Sequence, residues 1–268
     1  MSGIRPPLRW AGSKRKALPV LLEHIPRGIS KFIEPFSGSA CVSFAVEASE
    51  LIISDINPRL IEFYSYLKSD PSGLFEIYNG IIEDPSSYYK IRESFNYISP
   101  GLKRASYFLF LNRNCFNGIY RVNKSGDFNV PWGGDNSGKK LSVNELLSAS
   151  RVLQSANLLC CDFEESIRKN VRKGDFVYLD PPYAQNENRV FNEYYNESFS
   201  TVDWSRLLGV IRYIDSVGAK FLLSYAGDPS LIEDLKPWNI GRLEVTRNVG
   251  GFKSSRRKHS EFMASNLG

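Results

Sequence analysis

Apolar and polar positions along the chain change period several times, and each change marks an element. Residues 31–36, Lys31-Phe-Ile-Glu-Pro-Phe36, form a short apolar run that breaks at the turn residues Ser37-Gly38-Ser39, the pattern of a buried strand. The apolar stretch 40–48 predicts a helix, and Leu51-Ile-Ile-Ser-Asp55 a second strand. Asn57-Pro58 has the form of an N-cap followed by proline at the first helical position. It opens a helix whose apolar face is Leu60, Ile61, Tyr64 and Leu67. This βαβα start puts polar residues at the carboxyl ends of both strands, where open parallel sheets bind ligands.

From about Pro71 the spacing becomes helical. It ends in the segment 120–132, whose near-alternating residues flank Lys124-Ser-Gly-Asp127 and predict a β-hairpin. Residues 133–140, rich in Gly, Ser, Asn and Lys, read as a mobile loop. The α/β rhythm then resumes, with a strand at 157–161, a helix at 163–169 and a strand at 175–180 that runs into Asp180-Pro181-Pro182-Tyr183. A helix near 202–216, a strand at 219–224 and strand-like segments at 241–246 and 261–265 follow. The architecture this predicts is α/β: one sheet domain, residues 1–70 plus 141–268, interrupted by a mainly helical insertion at 71–140 that carries the hairpin.

Composition narrows the classes. Of 268 residues 42% are hydrophobic and 24% charged, the balance of a soluble globular protein. No apolar run reaches the roughly 18 residues of a membrane span, and the first 26 residues lack a signal-peptide core. Cys41, Cys115, Cys160 and Cys161, with only His24 and His259 beside them, have no zinc-ligand spacing. Neither a structural metal nor a disulfide framework is expected, and a reducing cytoplasm is. The net charge of +5 is concentrated in residues 88–124. There Lys90, Arg92, Lys103, Arg104, Arg113, Arg121 and Lys124 face a single acid, Glu93, among nine aromatics: Tyr88, Tyr89, Phe95, Tyr97, Tyr107, Phe108, Phe110, Phe116 and Tyr120. Two readings stand side by side: a surface that neutralises phosphates and stacks on bases, or a helical subdomain with an aromatic core and a solvated basic face.

The candidate chemistry lies in Asp180-Pro181-Pro182-Tyr183. Two prolines stiffen a strand end and remove backbone donors, so a carboxylate and nearby carbonyls become a fixed set of acceptors. Such a set suits a planar exocyclic amine. Accepting both N–H groups frees the nitrogen lone pair from the ring, and the carboxylate stabilises positive charge that builds on nitrogen. Tyr183 offers a face for a base extruded from a duplex. Upstream, Glu34-Pro35-Phe36-Ser37-Gly38-Ser39-Ala40, with Asp55 at the end of the next strand, suits a nucleoside ligand whose ribose hydroxyls need a carboxylate. The series Gly38-Ser-Ala40-Cys-Val-Ser43 lacks two of the three glycines of a dinucleotide fingerprint, which disfavours a dehydrogenase. S-adenosylmethionine has ribose and adenine but no phosphate. Arg9-Trp10-Ala-Gly12-Ser-Lys14 reads either as a wrap for the amino-acid end of a zwitterion or as a disordered basic terminus.

With these residues in place, the sequence resembles the Dam-like DNA adenine-N6 methyltransferases, the D12 class or alpha group. The resemblance runs from Leu8 to about Ala264 in the order cofactor loop, recognition insertion, Asp-Pro-Pro-Tyr. It implies a Rossmann-like methyltransferase sheet and methyl transfer from S-adenosylmethionine to adenine in double-stranded DNA. Trp10, Lys14, Phe36, Gly38, Ser39 and Asp55 would contact the cofactor, Asp162 and Phe163 its adenine ring. Asp180 would lie between cofactor and target base, with Pro181, Pro182 and Tyr183 completing the pocket. Residues 112–121 and the hairpin to Gly133 match the recognition segment. There Phe116 would enter the duplex with Asn117 beside it, and Arg121 would read guanine. Ile119 and Pro131 would meet a thymine methyl, and Arg9 a flanking base pair. The match at Arg121 makes GATC the leading target. Ala40 departs from the family's second glycine, and the 134–138 loop from a more basic stretch. Arg256-Arg257-Lys258 is a further candidate for phosphate contact. The same resemblance implies a cytoplasmic prokaryotic or phage enzyme, monomeric in solution, standing alone or paired with a cognate restriction endonuclease. Two rivals remain: an RNA adenine methyltransferase, disfavoured because a deep, narrow RNA groove does not admit such a hairpin, and a catalytically silent DNA-binding protein on the same scaffold.

Overall fold

The computed structural model describes residues 4–182, 199–225, 229–246 and 258–267. Among the described residues seven strands make one sheet: β1 (Ile29–Glu34), β2 (Ala48–Asp55), β3 (Ala156–Cys160), β4 (Phe176–Leu179), β5 (Lys220–Tyr225), β6 (Asn239–Thr246) and β7 (Lys258–Ser265). Their order is β3-β2-β1-β4-β5-β7-β6. Neighbours from β3 to β5 run parallel, while β7 is antiparallel to both β5 and β6. This is the Rossmann-like sheet the sequence led us to expect.

Alternation along the central strands fixes the two faces. Phe32, Leu51, Ile53, Phe176, Tyr178 and Leu222 belong to one buried cluster. The residues between them, Ile33, Ile52, Val177, Leu179, Phe221 and Leu223, belong to another. Helices α7 (Phe163–Asn170) and α8 (Thr201–Ser216) bury Ile167, Leu207, Ile211 and Ile214 in the second cluster. The first cluster takes in α1 (Leu18–Glu23), α2 (Pro58–Ser69) and α6 (Val143–Leu153). It continues without a break into the inserted helices α3 (Pro71–Asn79), α4 (Pro85–Tyr97) and α5 (Leu102–Asn114). Asn57 caps α2 as expected, its side chain accepting from the Arg59 and Leu60 backbone N–H groups.

Three expectations need correction. Residues 40–46 form successive turns instead of a helix, and Ala48 already begins β2. Ala40 takes a left-handed φ of 52°, and the Ser43 N–H goes to the Glu34 carboxylate at 2.9 Å instead of to a helical carbonyl. The hairpin is minimal: one isolated bridge, Val122 to Phe128, and a turn in which the Asn123 N–H donates to the Asp127 carbonyl at 2.9 Å. The segment read as a mobile loop is tied at several points. Gly138 N–H donates to the Arg113 carbonyl at 2.7 Å, and Gly134–Asn136 forms a short 3-10 turn.

The two readings of the basic-aromatic stretch divide between its residues. Tyr88, Phe95, Phe108 and Phe110 are fully buried and pack on one another and on Phe63 and Phe128, with ring centroids 5.7–6.3 Å apart. Those four make an aromatic core. Tyr89, Tyr97 and Phe116 stay exposed. Arg104 is spent on Glu62, and Arg113 on the Lys139 and Pro7 carbonyls.

Candidate active site and recognition face

Strand β1 lies between β2 and β4, so the chain reverses its direction of travel across the sheet there. A crevice opens at the carboxyl ends of strands at such a switch point. On one side is the turn after β1. Gly38 has φ +45°, and its N–H donates to Asp55 Oδ2 at 3.0 Å. Asp55 Oδ1 accepts from the Asn57 N–H at 3.0 Å, and the Tyr64 hydroxyl donates to the Gly38 carbonyl at 2.8 Å. Burial raises the Asp55 pKa, against these backbone donors. A Cβ on Gly38 would come within 2.7 Å of Trp10 Cδ1, so the indole lies directly on the turn. Ser39 is buried and bonded through Oγ to Ser13 Oγ at 3.0 Å. Ser37 Oγ is buried with no hydrogen-bond partner among the described residues.

Beneath the turn, Glu34 is 2% exposed and accepts from both the N–H and the Oγ of Ser43. Burial pushes its pKa up to about 8, with Ser43 pulling the other way and Asp180 and Asp55 adding to the rise. The linkage has a definite sign. A carboxyl raised from 4.5 to about 8 on folding stabilises the fold most below 4.5, and that stability is lost as pH rises through 8. The Glu34→Gln protein should therefore show a flatter dependence of unfolding free energy on pH between about 5 and 8, by about 1 kcal/mol per pH unit. Urea titrations across that range check it; an unchanged slope would refute the assignment.

On the other side of the crevice, β4 runs into Asp180, with Pro181 buried and Pro182 exposed. Asp180 Oδ1 meets Lys14 Nζ at 2.8 Å and accepts from Ser224 Oγ at 3.3 Å, and Ser224 shares a 2.8 Å hydrogen bond with Tyr178. Burial raises the Asp180 pKa, and Lys14 opposes it. Tyr183 lies outside the described residues, as do Arg256, Arg257 and the side chain of Lys258. At the far end of the crevice Phe36 stacks on Phe163 at 5.0 Å, with Phe199 closing the group at 6.0–6.1 Å. Asp162 caps α7 and is bound by Arg206, whose guanidinium lies 4.8 Å over the Phe163 ring. Ile56, next to Asp55, is 59% exposed. Ser224, Glu261 and Arg206 are site residues that the sequence does not reveal, because each is brought in by tertiary contacts with no local motif around it.

The candidate recognition residues gather around the end of α5. Phe116 (43% exposed) and Asn117 (φ 54°) sit in a one-turn 3-10 segment. The Phe116 N–H donates to the carbonyl of the exposed Pro131 at 3.0 Å. A Cβ on Gly118 would fall 2.4 Å from Arg9 Cβ, which puts Arg9 against the same turn. Arg9 is also clasped by Asn112 through its own N–H and carbonyl, at 2.9 and 2.6 Å, while its guanidinium donates to the Arg113 and Asn136 carbonyls. Ile119 is partly buried, its carbonyl accepting from Cys115 Sγ. Arg121 is held across the hairpin by Asn129, Nε to Oδ1 at 2.8 Å. Trp10 joins the two regions: it covers Gly38 and stacks on Tyr120 with centroids 5.8 Å apart.

The sequence model of the family described as D12 class N6 adenine-specific DNA methyltransferase matches residues 10–247. The chain belongs to this family. The methyltransferase is 34% identical to the Type II methyltransferase M1.LlaDCHI of Lactococcus lactis subsp. cremoris, over 99% of this chain and 96% of the relative. It is 34% identical to the Type II methyltransferase M.MjaIII of Methanocaldococcus jannaschii, over 95% and 96% of the two chains. The retron Ec67 DNA adenine methylase of Escherichia coli is 32% identical, over 96% and 90%. The protein is accordingly an enzyme that methylates adenine in DNA at N6, which removes the RNA and silent-scaffold alternatives. Among its described residues no helix is long and apolar enough to cross a membrane.

Proposed function

We infer that the methyltransferase takes its methyl group from S-adenosylmethionine and delivers it to an adenine flipped out of duplex DNA. The observation that supports this most is the placement of Asp180 and the Gly38 turn on opposite sides of one switch-point crevice, within a single network of buried carboxylates. The residues fit the donor. Asp55 is met by the backbone N–H groups of Gly38, Asn57 and Ile56, and a carboxylate has about four acceptor sites, so it can still take a ribose hydroxyl. Ile56, Phe36 and Phe163 offer apolar surface to an adenine ring. The orphaned Ser37 hydroxyl sits where a polar ligand group would satisfy it. When bound, S-adenosylmethionine supplies an electrophilic methyl group on a sulfonium.

The chain's own task is to prepare the amine. Asp180 and a neighbouring carbonyl of the Pro181-Pro182 turn accept its two N–H groups, which turns the nitrogen lone pair out of the ring. The same carboxylate offsets the positive charge that develops on nitrogen, and the buried setting strengthens that interaction. Tyr183 stacks on the extruded base.

On the duplex, Phe116 occupies the space the flipped base leaves, with Asn117 beside it. Ile119 and Pro131 meet a thymine methyl, and Arg9 a flanking pair. Arg121 reads guanine, and its correspondence to the family's guanine-reading position is what supports GATC as the target. The insertion at 71–140 acts as the recognition unit. The Type II designation of two relatives supports a cognate restriction endonuclease as partner. Mapping methylated adenines in the DNA of a host expressing the protein tests the reading, and a motif other than GATC would overturn the target. Arg121→Ala should spread methylation to sites differing at one base pair, a discrimination loss of about 1–3 kcal/mol. An unchanged motif in that variant would remove Arg121 from the reading of guanine.

A further inference from the structure

Lys14 is 3% exposed and ends between two carboxylates, Asp180 Oδ1 at 2.8 Å and Glu261 Oε2 at 3.2 Å. Glu261 stands on β7, is fully buried, and reaches the site through Lys14. A buried glutamate next to a catalytic carboxylate costs desolvation and adds repulsion unless it does something for the site. We propose that Glu261 is a positioning residue: acting through Lys14, it holds the Asp180 carboxylate in place and keeps its negative charge available to the target amine. This rests on the reading of Asp180 given under Proposed function.

An ammonium paired with Asp180 alone would fix the carboxylate but neutralise it, and the amine would meet a compensated ion pair. A second carboxylate on the far side of Lys14 shares the ammonium, so the three groups sum to −1. Lys14 then orients Asp180 through Oδ1 without cancelling it. Among the described residues, the other titratable groups that act on Asp180 are Glu34 on β1, Cys41 in the turn that follows, and Tyr178 on β4 itself. Burial pushes all three toward their neutral forms, Glu34 up to about 8 and Cys41 up to about 12. Lys14 and Glu261 are therefore the charges that set the state of Asp180 near neutral pH.

Single-turnover methylation of duplex DNA by the full-length protein, followed from pH 5 to 8, tests the proposal. Equilibrium binding of S-adenosylmethionine is measured alongside. Glu261→Gln should lower the plateau rate by about tenfold or more, because the ammonium now neutralises Asp180. Its acid limb should move to lower pH, since a like charge has been removed. Lys14→Met leaves two buried carboxylates side by side, and its acid limb should move to higher pH. Glu261→Asp keeps the charge and should hold the wild-type limb. Donor affinity in the two Glu261 variants should stay within about threefold, as expected for a group that acts on the amine rather than on the donor. Opposite displacement of the two limbs is a result that a merely structural role would not give. Unshifted limbs with donor affinity weakened in both Glu261→Gln and Lys14→Met would overturn the proposal and make Lys14 a donor ligand. If Asp180→Asn itself stays active, the underlying reading has failed. If Asp180→Asn is inactive while Glu261→Gln behaves as wild type, only the present inference has.

Discussion

Asp180→Ala should leave a protein that binds duplex DNA nearly as well as the parent and transfers no measurable methyl group to it. The substitution removes the acceptor for the amine and the charge opposite the developing cation, interactions strongest in the transition state. Losses of that kind are at least a hundredfold in rate, about 2.7 kcal/mol. DNA affinity is carried mainly by phosphate contacts, and the candidate DNA contacts are on the N-terminal segment, the end of α5 and the hairpin rather than on the strand end that carries Asp180. Asp180→Asn separates charge from shape. It can still accept one hydrogen bond yet cannot offset a cation, so it should be nearly as impaired. Labelled-methyl transfer under single-turnover conditions, with a gel-shift titration on the same samples, gives both quantities. Methylation within a few-fold of wild type would take Asp180 out of the chemistry.

Gly38→Ala should be the most damaging small change at the donor turn. At φ +45° any side chain costs about 1 kcal/mol or more of backbone strain. The added Cβ would also lie 2.7 Å from the Trp10 indole, so the ring must move. Moving it breaks the stack on Tyr120 and disturbs the N–H that Gly38 gives to Asp55. We expect a melting temperature lower by several degrees and donor affinity weaker by about tenfold. Tyr120→Leu, which removes the stack alone, should lose much less donor affinity. Calorimetry and donor titration on the two variants decide it. If Gly38→Ala binds donor normally, the turn does not shape the donor site.

Signals that are short in sequence were the most legible. Asp180-Pro181-Pro182 stands at the end of β4 as its local pattern predicts, a carboxylate and two prolines after a buried strand. Asp55 is legible because the Asn57-Pro58 cap marks where its strand stops. Residues 40–48 misled because apolar spacing does not reveal that a buried glutamate will take the Ser43 N–H and that Ala40 will turn left-handed. The aromatics of the insertion were ambiguous for a related reason. Helical spacing puts Tyr88, Phe95 and Phe108 in a core as readily as on a DNA face, and only packing decides. Glu261 could not be read at all. It reaches Lys14 because β7 folds back antiparallel on β5, a consequence of sheet order rather than of any neighbouring residue.

The short segment from Pro7 to Lys14 touches every working part. Arg9 is clasped by Asn112 near the end of α5, Trp10 bridges Tyr120 and Gly38, and Lys14 ends on Asp180. On the proposed reading of residues 71–140 as the recognition unit, target specificity would then not be a cassette confined to the insertion. A chimera given another enzyme's residues 71–140 keeps an N-terminal segment cut to fit the old α5, and its indole then bears on a ring that has changed or gone. Transplanting the proposed recognition unit means moving two pieces of chain, the insertion and the eight residues that thread from it to Asp180.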